Sequence, residues 1–344
     1  MPAKSVRRKS RRKNKTYKAL IATSTAASLF ILSVLFIGGL GFYKSIKSDF
    51  ASASSADAFT LQDQDIYSVL FVVLQDTSQQ KPVVSKLSLT FVDKNNKKFV
   101  KYNVSPDFSM EMPGRFGDEA LSKVFSLASL ELDEDDSTQT LETGVNILSN
   151  CLNKLFGYRI DRYVISDVAN ESQLTDFLEG RGLGFPHGFN KTNFTFSEFY
   201  KLYTFSKSLP EDRFITKDFS LDYLHNTDLI DEEIRDLTFD SKVAAEKKSV
   251  SVLNGAFLPG LGAFASREVQ NMGGLVVSVN NASREYQTSI LIVDDPESQT
   301  AINIAKTFNI SKVIRKEDAM ELGEDEVNRS DVVVILGLDS KEWL

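Results

Sequence analysis

Across 344 residues the chain has one cysteine, Cys151, and two histidines, His187 and His225. A single cysteine excludes an intramolecular disulfide, and one Cys with two His offers no zinc-site spacing. A catalytic thiol needs a basic partner, and nothing local ties either histidine to Cys151. Cys151 sits in VNILSNCLNKLF among apolar neighbours at helical spacing, which predicts a small buried hydrophobe. The glycine-rich stretch GRGLGFPHGFN lacks the GxxxxGK[ST] pattern, so it predicts no nucleotide cradle. No DNA-binding motif is present, and a role in transcription finds no support.

Acids are absent from the first 48 residues, while residues 1–18 hold nine Lys or Arg. There is one long apolar run, residues 19–43, ALIATSTAASLFILSVLFIGGLGFY. About 20 apolar residues suffice to cross a bilayer core of about 30 Å, and the basic flank predicts a cytoplasmic N-terminus. A cleaved signal peptide would have a shorter apolar core. The A-x-A pattern of Ala51 and Ala53 lies well past the run, beyond Lys44 and Lys47. The expectation is therefore a single-pass plasma-membrane protein with a basic tail (1–18), a signal anchor contacting membrane lipid (19–43), a small-residue linker (44–60) and an extracytoplasmic bulk. From Asp49 onward all 47 acids stand against 29 cations, a net charge of −18. That balance argues against a nucleic-acid partner.

Beyond the linker, the pattern predicts two mixed α/β (α+β) domains. YSVLFVVLQD reads as a buried strand, and VSKLSLTFVD and KKFVKYNVS as two more joined by the turn DKNNKK. Leu141, Val145, Leu148, Leu152 and Leu155 form the stripe of a core-facing helix. A strand at RYVISDV and a helix at SQLTDFLEG follow, then an aromatic-rich helix at FSEFYKLYTFSKSL. Residues 221–248 are polar enough to suggest a surface helix or connector. From 249 to 344 about five strands alternate with two helices, enough for a separate core. At its first strand-to-helix turn, Asn254 and Gly255 are weak ligand candidates, since amides at a helix start can hold an anion.

VLNG, a following helix, a Gly-Gly turn, VVSVNNAS, VDD, a further helix and VVVILGLD together resemble the LytR C-terminal domain over 249–340. Residues 61–220 resemble a divergent LytR-CpsA-Psr domain, best over LETGVNILSNCLNKLFGYRIDRYVISD. The resemblance implies a bacterial cell-envelope phosphotransferase that moves a polyprenyl-pyrophosphate-linked glycopolymer onto peptidoglycan, with Mg2+ as cofactor if active. A pyrophosphate needs bidentate arginines and carboxylates around a divalent cation. Most of the family's arginines are missing. Its G-x-D-x-R becomes Leu74, Gln75, Asp76, Thr77, Ser78, and R-x-D-T falls near Ser85 and Lys86. P-R-D becomes Ser105, Pro106, Asp107, and the later paired arginines fall at Phe205 and Lys207. Asp76, Asp107 and Arg213 remain as weak catalytic candidates, the two acids also as weak metal ligands. Lysine does not reproduce the planar arginine fork. The expectation is a degenerate domain without a cofactor, acting as a binding or scaffold module in cell-wall assembly. Its possible partners are a polyprenyl-linked glycan, peptidoglycan or an envelope protein. An active transferase centred on Asp76, Asp107 and Arg213 is the alternative, and a Phe205 that fills the site would count against it.

Overall fold

A computed structural model describes residues 66–343 apart from 80, 114–115, 133–136, 179–188 and 195. The expected tail, anchor and linker, and His187, lie outside the described residues. No helix among the described residues is long and apolar enough to cross a membrane.

The N-terminal domain begins with an antiparallel meander, β1 (Ile66–Leu74), β2 (Val84–Asp93) and β3 (Lys98–Val104). The β2–β3 turn closes where DKNNKK predicts it. The Asp93 carboxylate accepts from the Asn96 backbone amide at 2.9 Å and from its side-chain amide at 2.8 Å, and Lys97 takes a left-handed backbone. A small ribbon, β4 (Ser109–Met112) and β5 (Gly117–Ala120), leads into α1 (Val124–Glu131) and α2 (Ser137–Phe156). Then come β6 (Arg162–Asp167), α3 (Glu171–Leu178), β7 (Lys191–Thr192), α4 (Phe196–Lys207) and β8 (Phe214–Asp218). The sheet order is β7-β6-β1-β2-β3-β8. With β1 at its centre, both faces of that strand are covered, which is why it reads as a continuous apolar run.

One sheet face, with Leu70, Val72, Leu89, Phe91, Val100 and Tyr102, packs on Val145, Leu148, Leu152 and Leu155 of α2. The predicted helical stripe is therefore the core seam. Gly144 lets α1 approach, since a Cβ there would lie 2.4 Å from the Phe125 ring. Cys151 is buried with its thiol 3.5 Å from the Met112 sulfur, and burial pushes its pKa up to about 12.

Residues 221–248 depart from the surface reading. They form α5 (Asp222–His225), α6 (Thr227–Thr238) and α7 (Ser241–Glu246), and Ile230, Ile234 and Leu237 of α6 belong to the same core as α2. Only every third or fourth residue of α6 is apolar, so an amphipathic core helix looks polar when averaged.

The C-terminal domain comprises β9 (Ser249–Asn254), α8 (Leu261–Asn271), β10 (Leu275–Asn281), β11 (Ile290–Val293), α9 (Gln299–Thr307), β12 (Lys312–Ile314), α10 (Lys316–Ala319) and β13 (Val332–Leu336). These include the five expected strands and two main helices, with further short helical turns after β12 and β13. The sheet runs β10-β9-β13-β11-β12, with β9, β10 and β13 parallel and β11 antiparallel to β13. Its core is separate, built on Val250, Val252, Leu261, Val269, Ile304 and Val334.

The domains meet through polar contacts. Arg267 of α8 pairs with both carboxylate oxygens of Asp231, each at 2.7 Å. The same guanidinium donates to the carbonyls of Lys154 (2.6 Å) and Leu155 (2.9 Å). Those carbonyls belong to the last turn of α2, where a helix leaves acceptors unsatisfied. Asn271 donates to the Gly157 carbonyl at 3.0 Å. The C-terminal domain thus caps a helix of its neighbour. Gly157 has φ +57°, and a Cβ there would come within 2.5 Å of Asn271 and 2.8 Å of Arg267. Gly157→Ala is expected to lower stability by about 2 kcal/mol, the left-handed penalty plus crowding, read as a fall in denaturation midpoint.

Candidate functional site

The topology decides which sequence candidates can meet. Leu74 at the end of β1 pairs with Val84 at the start of β2, and Leu87 pairs with Val104 at the end of β3. The loops carrying Asp76 and Asp107 therefore leave the sheet at the same end. Among the described residues neither acid is paired with a cation there. Asp76 is held in a turn by Ser78, whose hydroxyl and backbone amide donate to one carboxylate oxygen at 2.6 and 2.9 Å. These bonds hold its carboxyl below the usual range. Asp107 is exposed, in a turn where its own amide donates to the Ser105 hydroxyl at 3.3 Å. Lys86 emerges at this end too, but forms an ion pair with Glu171 in the first turn of α3.

Arg213 does not join them. β8 runs parallel to β3, with Phe214 opposite Phe99 and Asp218 opposite Asn103. Arg213 therefore precedes β8 at the far end of the sheet, roughly 15 Å away at about 3.3 Å per strand residue. Arg213 thus stands apart from the sheet end that Asp76 and Asp107 reach. Phe205 is also at the far end, stacked on Phe99 with centroids 5.9 Å apart, while Lys207 lies over the Tyr203 ring. Phe205 does not fill the space between the two acids.

The acids do not fit a divalent cation. Among the described residues no group of three or more His, Cys, Asp or Glu side chains could hold a metal ion. A Mg2+ site needs near-octahedral oxygens, and one Asp76 oxygen is already committed to Ser78.

Asn254 is likewise occupied. Its side-chain nitrogen donates to the Leu258 carbonyl (2.7 Å), and its oxygen accepts from the Leu258 amide (3.2 Å). Gly255 is pressed against Tyr286, Ile335 and the Leu336 carbonyl, its amide donating to that carbonyl at 2.8 Å. Asn254 and Gly255 hold the turn together.

The structure reveals a different cluster. Register places Arg162 beside Val69, Val69 beside Thr90, Thr90 beside Lys101 and Lys101 beside Thr216. Residues paired across strands share a face, so this rung crosses the sheet on the side away from α2. Arg162 is 5% exposed, Lys101 8% and Thr90 0%. Arg162 donates to the Asp161 carbonyl at 2.7 Å. The Thr90 hydroxyl has no hydrogen-bond partner among the described residues. Tyr67, Phe71, Val73 and Phe99, also buried, occupy the same face by strand alternation. Sequence reasoning missed them because it searched strand ends for arginines. The available signal was a charged residue alternating with Phe99 or Val164 in a strand covered on both faces.

With the geometry established, known proteins can be compared. Residues 248–339 match the family model described as LytR cell envelope-related transcriptional attenuator. No curated protein matches the chain. Among solved structures, the chain is similar to the transcriptional regulator yvhJ from Bacillus subtilis at 13% identity and TM-score 0.32, over 46% of this chain and 84% of that one. It is similar to B. subtilis TagU at 11% and 0.28, over 52% and 99%. It is also similar to a LytR-CPS2A-psr family protein, YwtF (TagT) with bound octaprenyl pyrophosphate lipid, at 13% and 0.25, over 80% and 98%. The match at 248–339 is independent of these low TM-scores. It covers nearly the residues on which VLNG and LGLD carried the resemblance, and it assigns the C-terminal domain to the LytR C-terminal family.

Proposed function

We propose that this chain is a membrane-anchored, extracytoplasmic cell-envelope protein whose N-terminal domain binds a lipid-linked anionic glycan and does not transfer it. The run at 19–43 and its basic flank support the anchor, and the C-terminal family supports the envelope. The observation that carries the non-catalytic reading is the sheet end itself. Among the described residues Asp76 and Asp107 arrive there without an arginine, Lys86 pairs with Glu171, and Arg213 stands at the opposite end. Transfer of a phosphoryl group relies on positioning and charge neutralisation, and the scatter of the described charges supports a binding role.

The test is lipid extraction and mass spectrometry on the full-length protein purified from its membrane, beside a glycopolymer transfer assay. A co-purifying prenyl phosphate without transfer activity is expected. Transfer activity abolished by Asp76→Ala or Asp107→Ala would overturn the binding-only reading.

A further inference from the structure

The two main sheets present four edge strands, and three of them are blunted. β7 is two residues long, β8 carries Lys217 and Asp218, and β12 is three residues long and begins with Lys312. Short strands and edge charges keep a sheet from pairing with another chain. β10 has neither. It forms the edge of the C-terminal sheet over seven residues, and LVVSVNN contains no charge and no proline. Leu275, Val277 and Val279 stand at alternate positions, 54%, 52% and 42% exposed. A bulge between Val276 and Ser278 bends the strand. Its outer side still pairs with no strand among the described residues.

The two ends of this edge carry opposite charge. At its start Leu275 pairs with Ser249, which directly follows Lys247 and Lys248. Lys247 is exposed, and Lys248 lies 3.8 Å from Asp295. At its finish the Asn280 amide donates to Glu326 at 2.9 Å, and Asp325 beside Glu326 in sequence is exposed. A strand added antiparallel from a second copy brings the lysine end of each edge to the carboxylate end of the other. Parallel addition would set like ends together. Val277 and Val279 flank Ser278, so a two-fold axis at Ser278 sets Val277 of each copy opposite Val279 of the other. Such a contact is isologous and closes at two copies. From Asp49 onward the chain carries a net charge of −18, which keeps copies apart elsewhere and leaves an uncharged strand as the place to meet.

We propose that two copies of this chain pair through β10, antiparallel about Ser278, joining two five-stranded sheets into one of ten strands. Strand addition supplies main-chain hydrogen bonds, and the valines cover one another. Seven residues on each side is about a third of the roughly 20–30 in a standard interface. The pairing is therefore weak between free molecules and relies on copies held in one plane, where effective concentration is high. That step rests on the membrane anchor proposed above.

Cross-linking of the full-length Ser278→Cys protein in its membrane with a short bismaleimide tests this. Cys151 is buried with a raised pKa, so the parent serves as the blank. The expected result is an adduct of twice the chain mass from Ser278→Cys, and none from Lys312→Cys on the opposite edge of the sheet. Adding Val277→Lys and Val279→Lys should cut the yield roughly tenfold or more, since edge lysines block strand pairing. Both valines are about half exposed, and an unchanged thermal midpoint confirms that this variant folds. Lys247→Glu should lower the yield severalfold, and Glu326→Lys added to it should restore the yield. Purely structural roles for the two residues would give no such restoration. The pairing is overturned by a missing adduct, by an adduct with a polypeptide of another mass, or by a yield indifferent to the lysines. Alkaline extraction of the same membranes tests the anchor separately. Release of the protein sinks the anchor, whereas retained protein without the adduct sinks the pairing. After release, sedimentation of the full-length protein up to about 1 mM, the weak end of the affinity scale, decides the pairing, and a monomer throughout overturns it.

Discussion

Arg267→Ala is expected to destabilise the protein by about 3–4 kcal/mol, the scale for removing one partner of a largely buried ion pair. The loss has two parts. Asp231 keeps its carboxylate in a site where the two side chains are each 18% exposed, with only Asn271 left to donate to it. The carbonyls of Lys154 and Leu155 lose their donors at the end of α2. Because α2 carries the main core seam, the effect should spread beyond the interface. Hydrogen exchange should show faster opening in the last turn of α2 as well as in α8. Chemical denaturation of the full-length protein supplies the magnitude. Arg267→Lys should recover little, because one ammonium cannot serve two carboxylate oxygens and two carbonyls in the same plane. A loss below about 1 kcal/mol, the range of an exposed pair, would mean that the domains are not held at this point.

What the sequence disclosed and what it hid follow from how local each signal is. The β1 run, the β2–β3 turn and the α2 stripe depend on residues within a few positions of one another, and each appears in its expected place. The alternation from 249 onward likewise gives the five strands and two helices of the C-terminal domain. β8 escaped detection because FITKD is short and largely exposed, and it becomes a strand by pairing with β3. The candidate site was legible only in part. Asp76 and Asp107 do reach one end of the sheet. That Arg213 lies at the other end depends on β8 running parallel to β3, which no spacing in the sequence encodes. Lys101 and Arg162 share a rung through four strands drawn from residues 69 to 162. The contact of Arg159 with Thr307 spans nearly 150 positions, too far for any local pattern.

The buried junction also sets how stability responds to pH. Glu268 has its pKa raised from 4.5 to about 8, first by burial, so the folded state holds a proton that the unfolded state has lost. Its contribution is full below about pH 4.5 and is lost as pH rises toward 8, at about 1.4 kcal/mol per unit. Lys306 has its pKa lowered from 10.5 to about 7, so between these values the folded state holds fewer protons. Its contribution is present above about 10.5 and is lost as pH falls through 7. Between about 7 and 8 the two slopes oppose each other, and from 7 down to 5 only that of Glu268 remains. Asp76, Asp161, Glu246 and Asp331, all held below their ordinary range, favour the folded state until pH falls below about 4. The denaturation free energy should therefore rise by about 3 kcal/mol on acidification from pH 7 to 5. Glu268→Gln, which cannot ionise, should flatten that rise and be more stable than the parent near pH 7.5. The difference between parent and variant isolates the carboxyl. An unchanged slope in the variant would show that Glu268 is solvated and that the junction admits water, a result equally damaging to a lowered Lys306.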